Sequence, residues 1–379
     1  MKLVFLNQYF PPDEAPTGLM LEAVAEECHR QGHEVTILCT QGGYAETSVE
    51  MREHPFEVVR LRSTRFGRMG AVGKICDYAI YYLKVAFALF FRVNHPDRVV
   101  ALTTPPFLSL LAKLRGVEHA HWVMDLYPDV MIAHGMLRDK SILARLLSGL
   151  TSWGFSGSQG VLSLGEDMVD RLSKYHDGRN QCVPLWATTS EEVVDSSWRE
   201  EHGWSEDEVI VMYSGNMGLG HRFDEFIQAA RAGVPGIRFV FSGGGKRREE
   251  MEQCSEIELL DYVSRDHLSR HLSSADVHLV SQEPSWDGTM VPSKLQGIFT
   301  LGRPVIFVGS ETSTIGRWVL ESGGGWVVSP DDHAGLSSAL SETLDKELRE
   351  SKGSAARAFA RKHFDRNTNV SATVAFLTA

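Results

Sequence analysis

Several features that define common protein classes are missing from this chain. The five cysteines are scattered and form no CxxC pair, which excludes a metal knuckle or a disulfide framework and fits a reducing compartment. No apolar run reaches the ~18 residues needed to cross a bilayer. The net charge is −11, which argues against a general nucleic-acid-binding protein because such proteins are usually basic.

The motifs of several enzyme classes are missing as well. The chain has no Walker A sequence, no GxSxG and no HExxH, and no GxGxxG follows the first predicted strand, which argues against a dehydrogenase. Two HxxxH pairs, His29/His33 and His267/His271, have no nearby third ligand, so we interpret them as surface histidines. We therefore expect no metal and no cofactor.

Alternating strand and helix patterns run through the whole chain. A strand at residues 2–7, a loop, a helix at 19–31 and a strand at 33–40 form a βαβ unit. Similar units continue to residue 164, and after a polar, acidic stretch a second series begins at residue 209. Because 379 residues are too many for one ordinary core, the pattern predicts two doubly wound α/β domains. We place them at residues 1–184 and 185–365, followed by a helix at 366–379 that returns to the first domain. Residues 334–362 are predicted to be helical.

The segment at residues 286–309 is the strongest candidate for a binding site. Pro292 and Ser293 predict a loop and a helix N-cap, Lys294 falls in the first turn, and an apolar strand follows at 305–308. The helix macrodipole favours acidic residues at that position, so a lysine there indicates an anionic ligand close by.

Two glycine-rich turns follow predicted strands in the second half. The first contains Gly215, Asn216, Met217 and Gly218, with Arg222 adding positive charge near the next helix. In the second, Gly243 and Gly244 belong to a run of three glycines. Small residues let a backbone approach a pyrophosphate closely. The alternative is that both turns need glycine for their geometry alone.

Two features of the first half are also candidates. Asp125 and Asp129 follow a strand, where a carboxylate would hold a hydroxyl group or stabilise developing positive charge; the alternative is a loop or helix-cap aspartate. A DxxxD pair also suits a metal, but no third oxygen ligand is apparent nearby. Gly18 stands just before a helix, where backbone N–H groups meet phosphates, or it simply belongs to a loop.

A basic segment precedes an aromatic helix in the first half. Arg62, Arg65 and Arg68 lie in a stretch without acidic residues, and the helix at residues 75–91 is rich in tyrosine and phenylalanine. The combination suits contact with an anionic membrane surface. An ordinary core helix is the alternative.

Five motifs together resemble one enzyme family. They occur in this order along the chain: Gln31-Gly32-His33-Glu34-Val35, Asp125-Leu126-Tyr127-Pro128-Asp129, Tyr213-Ser214-Gly215-Asn216-Met217-Gly218, Val291-Pro292-Ser293-Lys294-Leu295 and Gly302-Arg303-Pro304-Val305-Ile306. With them the chain resembles the retaining glycosyltransferases of family 4. Within that family it is most similar to the bacterial subgroup of colanic-acid fucosyltransferases and O-antigen N-acetylfucosamine transferases.

The resemblance implies the GT-B fold, in which two Rossmann-like domains face each other across a cleft. It implies a nucleoside-diphosphate sugar donor, UDP rather than GDP, no metal, and a lipid-linked or saccharide acceptor for surface polysaccharide at the inner membrane face. Carried over, Arg222 and Lys294 would contact the diphosphate, the backbone around Val263 would face the base, and Asp125 would lie near the transferred sugar.

The chain departs from the family pattern at three positions. Thr289 and Gly297 stand where two glutamates commonly contact the donor sugar and hold its ribose, and Asn216 stands where many relatives have an arginine. Two alternatives to transfer therefore stay open. One is an inactive nucleotide-sugar-binding protein, and the other is a nucleotide-sugar epimerase.

Overall fold

The computed structural model describes residues 1–13, 15–41, 53–62, 71–189 and 197–379. The chain forms two compact units. The first consists of Met1–Val183 and Asn367–Ala379, and the second consists of Pro184–Arg366. The predicted domain limits at residues 184 and 366 lie close to these divisions.

The first unit is built on a parallel sheet of seven strands in the order β3-β2-β1-β4-β5-β6-β7. The strands are β1 (Lys2–Leu6), β2 (Glu34–Gln41), β3 (Glu57–Arg62), β4 (Arg98–Ala101), β5 (Glu118–Trp122), β6 (Val161–Ser163) and β7 (Asn180–Cys182). The helices between them are α1 (Pro16–Arg30), α2 (Ala71–Phe91), α3 (Leu108–Leu114), α4 (Asp129–Ala133), α5 (Ile142–Phe155) and α6 (Glu166–Leu172). Leu3 pairs with Val35 of β2 and with Arg98 of β4, which places β1 in the middle of the sheet.

Apolar strand residues bury the face of this sheet that packs against α2. Val4, Leu6 and Val99 are at most 2% exposed and pack against Val85 and Leu89 of α2. Continuous β-branched and leucine-rich runs are typical of parallel strands covered by helices on both sides.

The C-terminal helix, Arg366–Thr378, packs on the first unit. Arg98 donates hydrogen bonds of 2.8 Å to the backbone carbonyls of Leu377 and Ala379. The Arg179 guanidinium lies 4.3 Å from the centre of the Phe376 ring. The last helix of the chain is therefore part of the unit that contains the first strand.

The second unit has a parallel sheet of six strands in the order β10-β9-β8-β11-β12-β13. They are β8 (Val209–Ser214), β9 (Ile237–Ser242), β10 (Ile257–Leu260), β11 (Val277–Ser281), β12 (Val305–Val308) and β13 (Gly325–Val328). The helices are α7 (Ser197–Glu201), α8 (Asp224–Ala232), α9 (Arg248–Glu252), α10 (Arg265–Ser273), α11 (Lys294–Thr300), α12 (Thr314–Ser322), α13 (His333–Glu342) and α14 (Lys346–His363); the C-terminal helix is α15. The prediction of two doubly wound parallel α/β domains is confirmed.

Two details of the predicted helices were wrong. Residues 334–362 form two helices, because the Asp345 carboxylate accepts a hydrogen bond from the Leu348 N–H and starts α14 there. Helices α4, α5, α6, α7, α10 and α12 were not predicted, and α5 is the longest of them. The Ser141 hydroxyl caps it by accepting from the Ala144 N–H at 3.1 Å, and a serine before an apolar run is the sequence signal that was overlooked.

The strand order creates a point in the second sheet where ligands commonly bind. β8 and β11 are neighbours, and the connections that leave them run toward opposite edges of the sheet. In open α/β sheets, ligands bind outside the carboxyl ends of the strands at such a switch point. Gly215 follows β8 directly and Gln282 follows β11, so a ligand site is expected at the residues after these two strands.

Candidate functional site

Lys294 lies beside the switch point of the second sheet. Its Nζ is 3.5 Å from the centre of the Tyr213 ring, and a Cβ added to Gly215 would be 2.9 Å from the lysine Cε. The buried amine has no hydrogen-bond acceptor among the residues that the structure describes. Burial therefore lowers the pKa of the Lys294 amine well below its usual range. A ligand that brought negative charge to this amine would supply the partner that the protein does not.

The start of α11 differs from the prediction. Ser293 occupies the N-cap position, as predicted, but its side chain makes no cap hydrogen bond. The helix has only seven residues, which leaves its dipole small. Ser293 is exposed and Pro292 is buried. The lysine side chain, more than the end of the helix, makes this place suited to an anion.

The two glycine-rich turns pack directly against each other. The Met217 N–H donates to the Gly244 carbonyl at 2.6 Å. A Cβ on Gly243 would be 2.1 Å from the Gly215 carbonyl oxygen, so no side chain fits there. Gly243 also has a φ of +126°, which favours glycine. Backbone packing alone thus requires glycine at Gly243, while Gly215 and Gly218 are partly exposed beside it.

Tyr262 was missed by the sequence analysis, which singled out its neighbour Val263. The Tyr262 ring is 62% exposed, and its hydroxyl lies 3.2 Å from the Gly244 carbonyl and 3.4 Å from Asn216 Oδ1. It follows β10 at the carboxyl edge of the sheet. An exposed aromatic residue immediately after a strand end is the signal that would have found it, because such a ring offers a flat apolar surface to a base.

Arg222 is enclosed by acidic side chains. It donates to Glu225 at 2.7 Å, to Glu283 at 3.2 Å and to Asp331 at 2.6 Å. Although burial opposes the charge, these partners raise the pKa of Arg222, and the Glu225 carboxyl, despite its own burial, has a lowered pKa. The sequence analysis expected Arg222 at the diphosphate, whereas here three carboxylates already neutralise its charge.

Thr289 and Gly297, the positions of the missing glutamates, are both buried. The Thr289 hydroxyl donates to the Trp286 carbonyl at 2.8 Å. A Cβ on Gly297 would touch the Thr189 side chain at 3.4 Å and lie 3.9 Å from Leu272. A side chain at Gly297 would therefore make ordinary van der Waals contacts with Thr189 and Leu272.

In the first unit, Asp125 and Asp129 have different surroundings. The N–H groups of Met124 and Asp125 both donate to the Thr103 hydroxyl at 3.1 Å, which fixes the backbone after β5. No described residue donates to the Asp125 carboxylate, and burial raises its pKa to about 6. The Asp129 carboxylate, by contrast, accepts from Tyr175 at 2.5 Å and from Arg171 at 3.1 Å. Asp129 therefore forms a structural ion pair with Arg171, whereas the Asp125 carboxylate has no partner among the described residues.

Gly18 and the basic segment complete the predicted residues of the first unit. The Gly18 N–H donates to the Ala15 carbonyl at 2.9 Å, and a Cβ there would be 3.0 Å from the Tyr9 carbonyl oxygen. Gly18 was predicted to stand just before a helix, but it lies in the first turn of α1, and its amide is bonded to the N-cap residue Ala15. Arg62 is exposed at the end of β3, whereas Arg65 and Arg68 lie outside the described residues.

Within the described part of the chain, one group of three side chains has the spacing of a metal site. Atoms of Glu22, Glu26 and His54 lie within 4.8 Å of one another. His54 Nδ1 is 3.9 Å from Glu22 Oε1, which an ion pair also explains. That the chain works without a metal stays a prediction.

Comparison with known proteins agrees with the resemblance seen in the sequence. Residues 17–186 match the model of the Glycosyl transferase 4-like domain. The chain is 23% identical over 367 residues to the probable glycosyltransferase WbjE of Pseudomonas aeruginosa, covering 92% of this chain and 90% of that protein. It is 25% identical over 353 residues to WcaI of Escherichia coli K12, a putative colanic acid biosynthesis glycosyl transferase, covering 84% and 85%.

A solved structure with the same fold is HepE of Anabaena in complex with UDP and glucose. The TM-score is 0.74 at 14% identity, and the match covers 100% of this chain and 99% of that one. This likeness, with the two parallel sheets, confirms the GT-B fold. Together the findings support a glycosyltransferase of the GT-B fold, in which residues 17–186 match the Glycosyl transferase 4-like domain.

Proposed function

We propose that this protein is a retaining glycosyltransferase that moves a sugar from a nucleoside-diphosphate donor to a lipid-linked or saccharide acceptor. One observation carries the proposal. The Lys294 amine is buried over the Tyr213 ring, without a hydrogen-bond acceptor among the described residues, at the switch point of the second sheet. A diphosphate there would offer the negative charge and the acceptor oxygens that this amine lacks.

The reaction would proceed by attack from the face that the donor phosphate leaves. The acceptor oxygen forms a bond to the anomeric carbon while the bond from that carbon to the diphosphate oxygen breaks, and the departing diphosphate takes the acceptor proton. Lys294 would stabilise the negative charge that develops on the leaving group, and Asp125 would stabilise positive charge on the sugar. Positioning and charge stabilisation would be the contribution of the protein, without a covalent intermediate on a side chain.

The ring of Tyr262 suits contact with the donor base. UDP is the donor that we propose, transferring a hexosyl or N-acetylhexosaminyl group, because HepE, which shares this fold, forms complexes with UDP and with UDP-glucose. The exposed Tyr262 ring beside Gly244 and Asn216 would stack on the uracil. Stacking of a base on an aromatic ring contributes about 1–3 kcal/mol to binding. Asn216 and the glycine turn would lie near the diphosphate.

Arg222 is proposed to position the site and not to contact the donor. Its three carboxylate partners connect the segment after β8 with residues that follow β11 and β13. Loss of Arg222 would separate these segments and move the turn at Gly215.

Three helices of the first unit are proposed to rest on an anionic membrane. α2 buries Tyr81 and Leu89, as a core helix does, yet its other side exposes large apolar side chains. The exposed apolar residues of α2, α3 and α5 are Tyr78, Leu83, Phe87, Phe90, Phe91, Leu114, Ile142, Leu143, Leu146 and Trp153. The three helices contain one acidic residue, Asp77, although the chain has a net charge of −11. Large apolar side chains in surroundings this poor in acids suit a lipid surface with negative headgroups.

The helices of this face lie side by side. Arg115 donates to the Leu89 carbonyl at 3.2 Å and its guanidinium lies over the Phe90 ring, so α2 meets the end of α3. Among the described residues no helix has the length and apolar character to span a bilayer. Cosedimentation with phosphatidylglycerol vesicles tests this contact: Phe91→Glu should weaken it, and Leu344→Glu, at an exposed apolar residue of the second unit, should not. Equal binding by both variants would argue against membrane contact through the exposed apolar residues of α2, α3 and α5.

A donor screen with product analysis tests the transferase proposal. The protein is incubated with a panel of UDP- and GDP-sugars, with and without a lipid-linked acceptor, and both nucleotide and sugar products are identified. Acceptor-dependent release of UDP with retained anomeric configuration is expected. Donor isomerisation without release would identify an epimerase, and donor binding without turnover would identify an inactive relative.

A further inference from the structure

A large basic cavity lies at the other edge of the second sheet. It has a volume of about 680 Å³, and Asp276 and Pro304, which immediately precede β11 and β12, help to line it. It is therefore at the amino ends of the strands, whereas Lys294 and Gly215 belong to the carboxyl ends. Five cations line it: Arg303, Lys346, Arg349, Arg357 and Arg361.

The carboxylates near this cavity leave most of its charge unmatched. Asp276 is already occupied, because it pairs with Arg199 at 3.1 Å and accepts from the Ile210 N–H at 2.8 Å. Glu350 lies 4.0 Å from Lys346 in an exposed pair. Among the described residues, the acceptors that Arg303, Arg349 and Arg357 use are uncharged backbone carbonyls.

Three of the arginines donate only to backbone carbonyls. Arg303 donates to Ser273 at 2.5 Å and Arg357 to Leu301 at 2.8 Å, and Arg349 donates to Thr343. Within the described residues, none of the three forms an ion pair with a carboxylate. A guanidinium has five N–H donors, so one backbone acceptor each leaves most of them available.

A purely structural role does not explain the number of arginines gathered here. Leu301 and Thr343 directly follow α11 and α13, and an arginine at a helix C-terminus is favourable. The arginines nevertheless repel one another. Burial lowers the pKa of Arg303, and the positive charges of Arg199, Arg357 and Arg349 lower it as well, although Asp276 acts in the opposite direction. The half of the chain that holds this cluster carries most of its net negative charge, so composition alone does not produce the cluster.

We infer that this cavity binds a phosphate-bearing ligand, as a second anion site separate from the one at Lys294. Arginines recognise phosphate through paired N–H donors, and the volume lies in the range of small-molecule sites. The phosphate could come from a soluble metabolite or from a lipid headgroup, and both present the same oxygens to the arginines. The inference does not depend on the proposed transferase activity.

Calorimetric titration of the full-length chain with inorganic diphosphate tests this inference. The titration uses a Lys294→Ala background, which removes the amine of the other site. We expect one diphosphate to bind, and Arg349→Gln combined with Arg357→Gln to weaken it at least ~10-fold, since charged hydrogen bonds are lost. Lys362→Gln, an exposed cation on the same helix that does not line the cavity, is the matched control.

A second variant protects the test against misfolding. Ser354 is exposed and lines the cavity, so Ser354→Glu adds a negative charge without removing any arginine and should also abolish diphosphate binding. Circular dichroism and thermal melting verify the fold of each variant. The inference would be overturned if the Lys294→Ala protein did not bind diphosphate and Ser354→Glu left its vesicle binding unchanged. An equal loss of diphosphate binding in Lys362→Gln would overturn it as well.

Vesicles separate the two sources of phosphate. If phosphatidylglycerol vesicles bind and Ser354→Glu releases them while Lys362→Gln does not, a lipid headgroup is the ligand. If diphosphate binds and vesicle binding is the same in all variants, a soluble phosphate compound is the ligand. Either result supports the site, because both require the arginine cavity.

Discussion

Lys294 and Arg222 are both basic residues near the carboxyl edge of the second sheet, yet their surroundings are opposite. Arg222 has three carboxylate partners, whereas the buried Lys294 amine has no acceptor among the described residues and lies over the Tyr213 ring. The first unit repeats the contrast, since Asp129 is paired with Arg171 and Asp125 is unpaired within the described structure. In each unit, then, one ionisable side chain is held in an ion pair by the fold, and another one nearby has no partner within the described structure.

The largest effect that we expect concerns stability. Arg222→Met leaves Glu225, with a side chain only 1% exposed, without its main partner. Breaking a buried pair from one side should lower the free energy of unfolding by about 3–5 kcal/mol, measured by urea denaturation. Adding Glu225→Gln should restore part of this loss. Arg30→Met, which removes an exposed partner of Glu27, should change nothing measurable. If Arg222→Met had the same free energy of unfolding as the parent, Arg222 would not be a partner that the buried Glu225 requires.

The second effect concerns turnover. Lys294→Met keeps the length of the side chain but removes the amine, so transfer with the true donor should fall by about 100-fold or more. The melting temperature should stay the same or rise, because an unpartnered buried amine is lost. Lys246→Met, at an exposed lysine after the glycine run, is the matched control and should keep full activity. A folded Lys294→Met protein with unchanged turnover would show that the amine does not serve the donor.

The smallest effect depends on pH. The folded-state pKa of Asp125 is about 6, above its usual 3.8, so ionisation weakens the fold as pH rises through that interval. Asp125→Asn should therefore add roughly 2–3 kcal/mol of stability at pH 7, where the parent is ionised, and little at pH 3.5. The parent transferase should lose activity as the pH falls below about 6, and the variant should be slow without that acid limb. Asp129→Asn, in contrast, should destabilise the fold at pH 7.

Local sequence patterns were sufficient to predict most of the fold. β-branched runs followed by glycine or polar turns located the main strands, and the order of strands and helices predicted two parallel sheets, which is what the structure has. The short helix after Pro292 and the position of Lys294 at its start were also predictable. Capping residues decide finer points, as Asp345 shows by dividing the predicted long helix in two.

The electrostatics of the site could not be predicted, because the partners are distant in sequence. Glu283 and Asp331 lie 61 and 109 residues beyond Arg222, so nothing near Arg222 in the sequence indicates that its charge is neutralised. The same holds for the basic cavity, which combines Arg303 with residues of α14. Sequence identifies a charged side chain, but only the fold determines which other charges surround it.

The packed glycine turns have a mechanical consequence. The Gly215 carbonyl fills the space that a side chain on Gly243 would need, and the Met217 amide is bonded to Gly244. Neither turn can shift without displacing the other, so the loops after β8 and β9 move as one body, and Tyr262 is attached to it through Gly244. If the donor binds as proposed, a displacement of the turn at Gly215 by the diphosphate would therefore also move the Tyr262 ring.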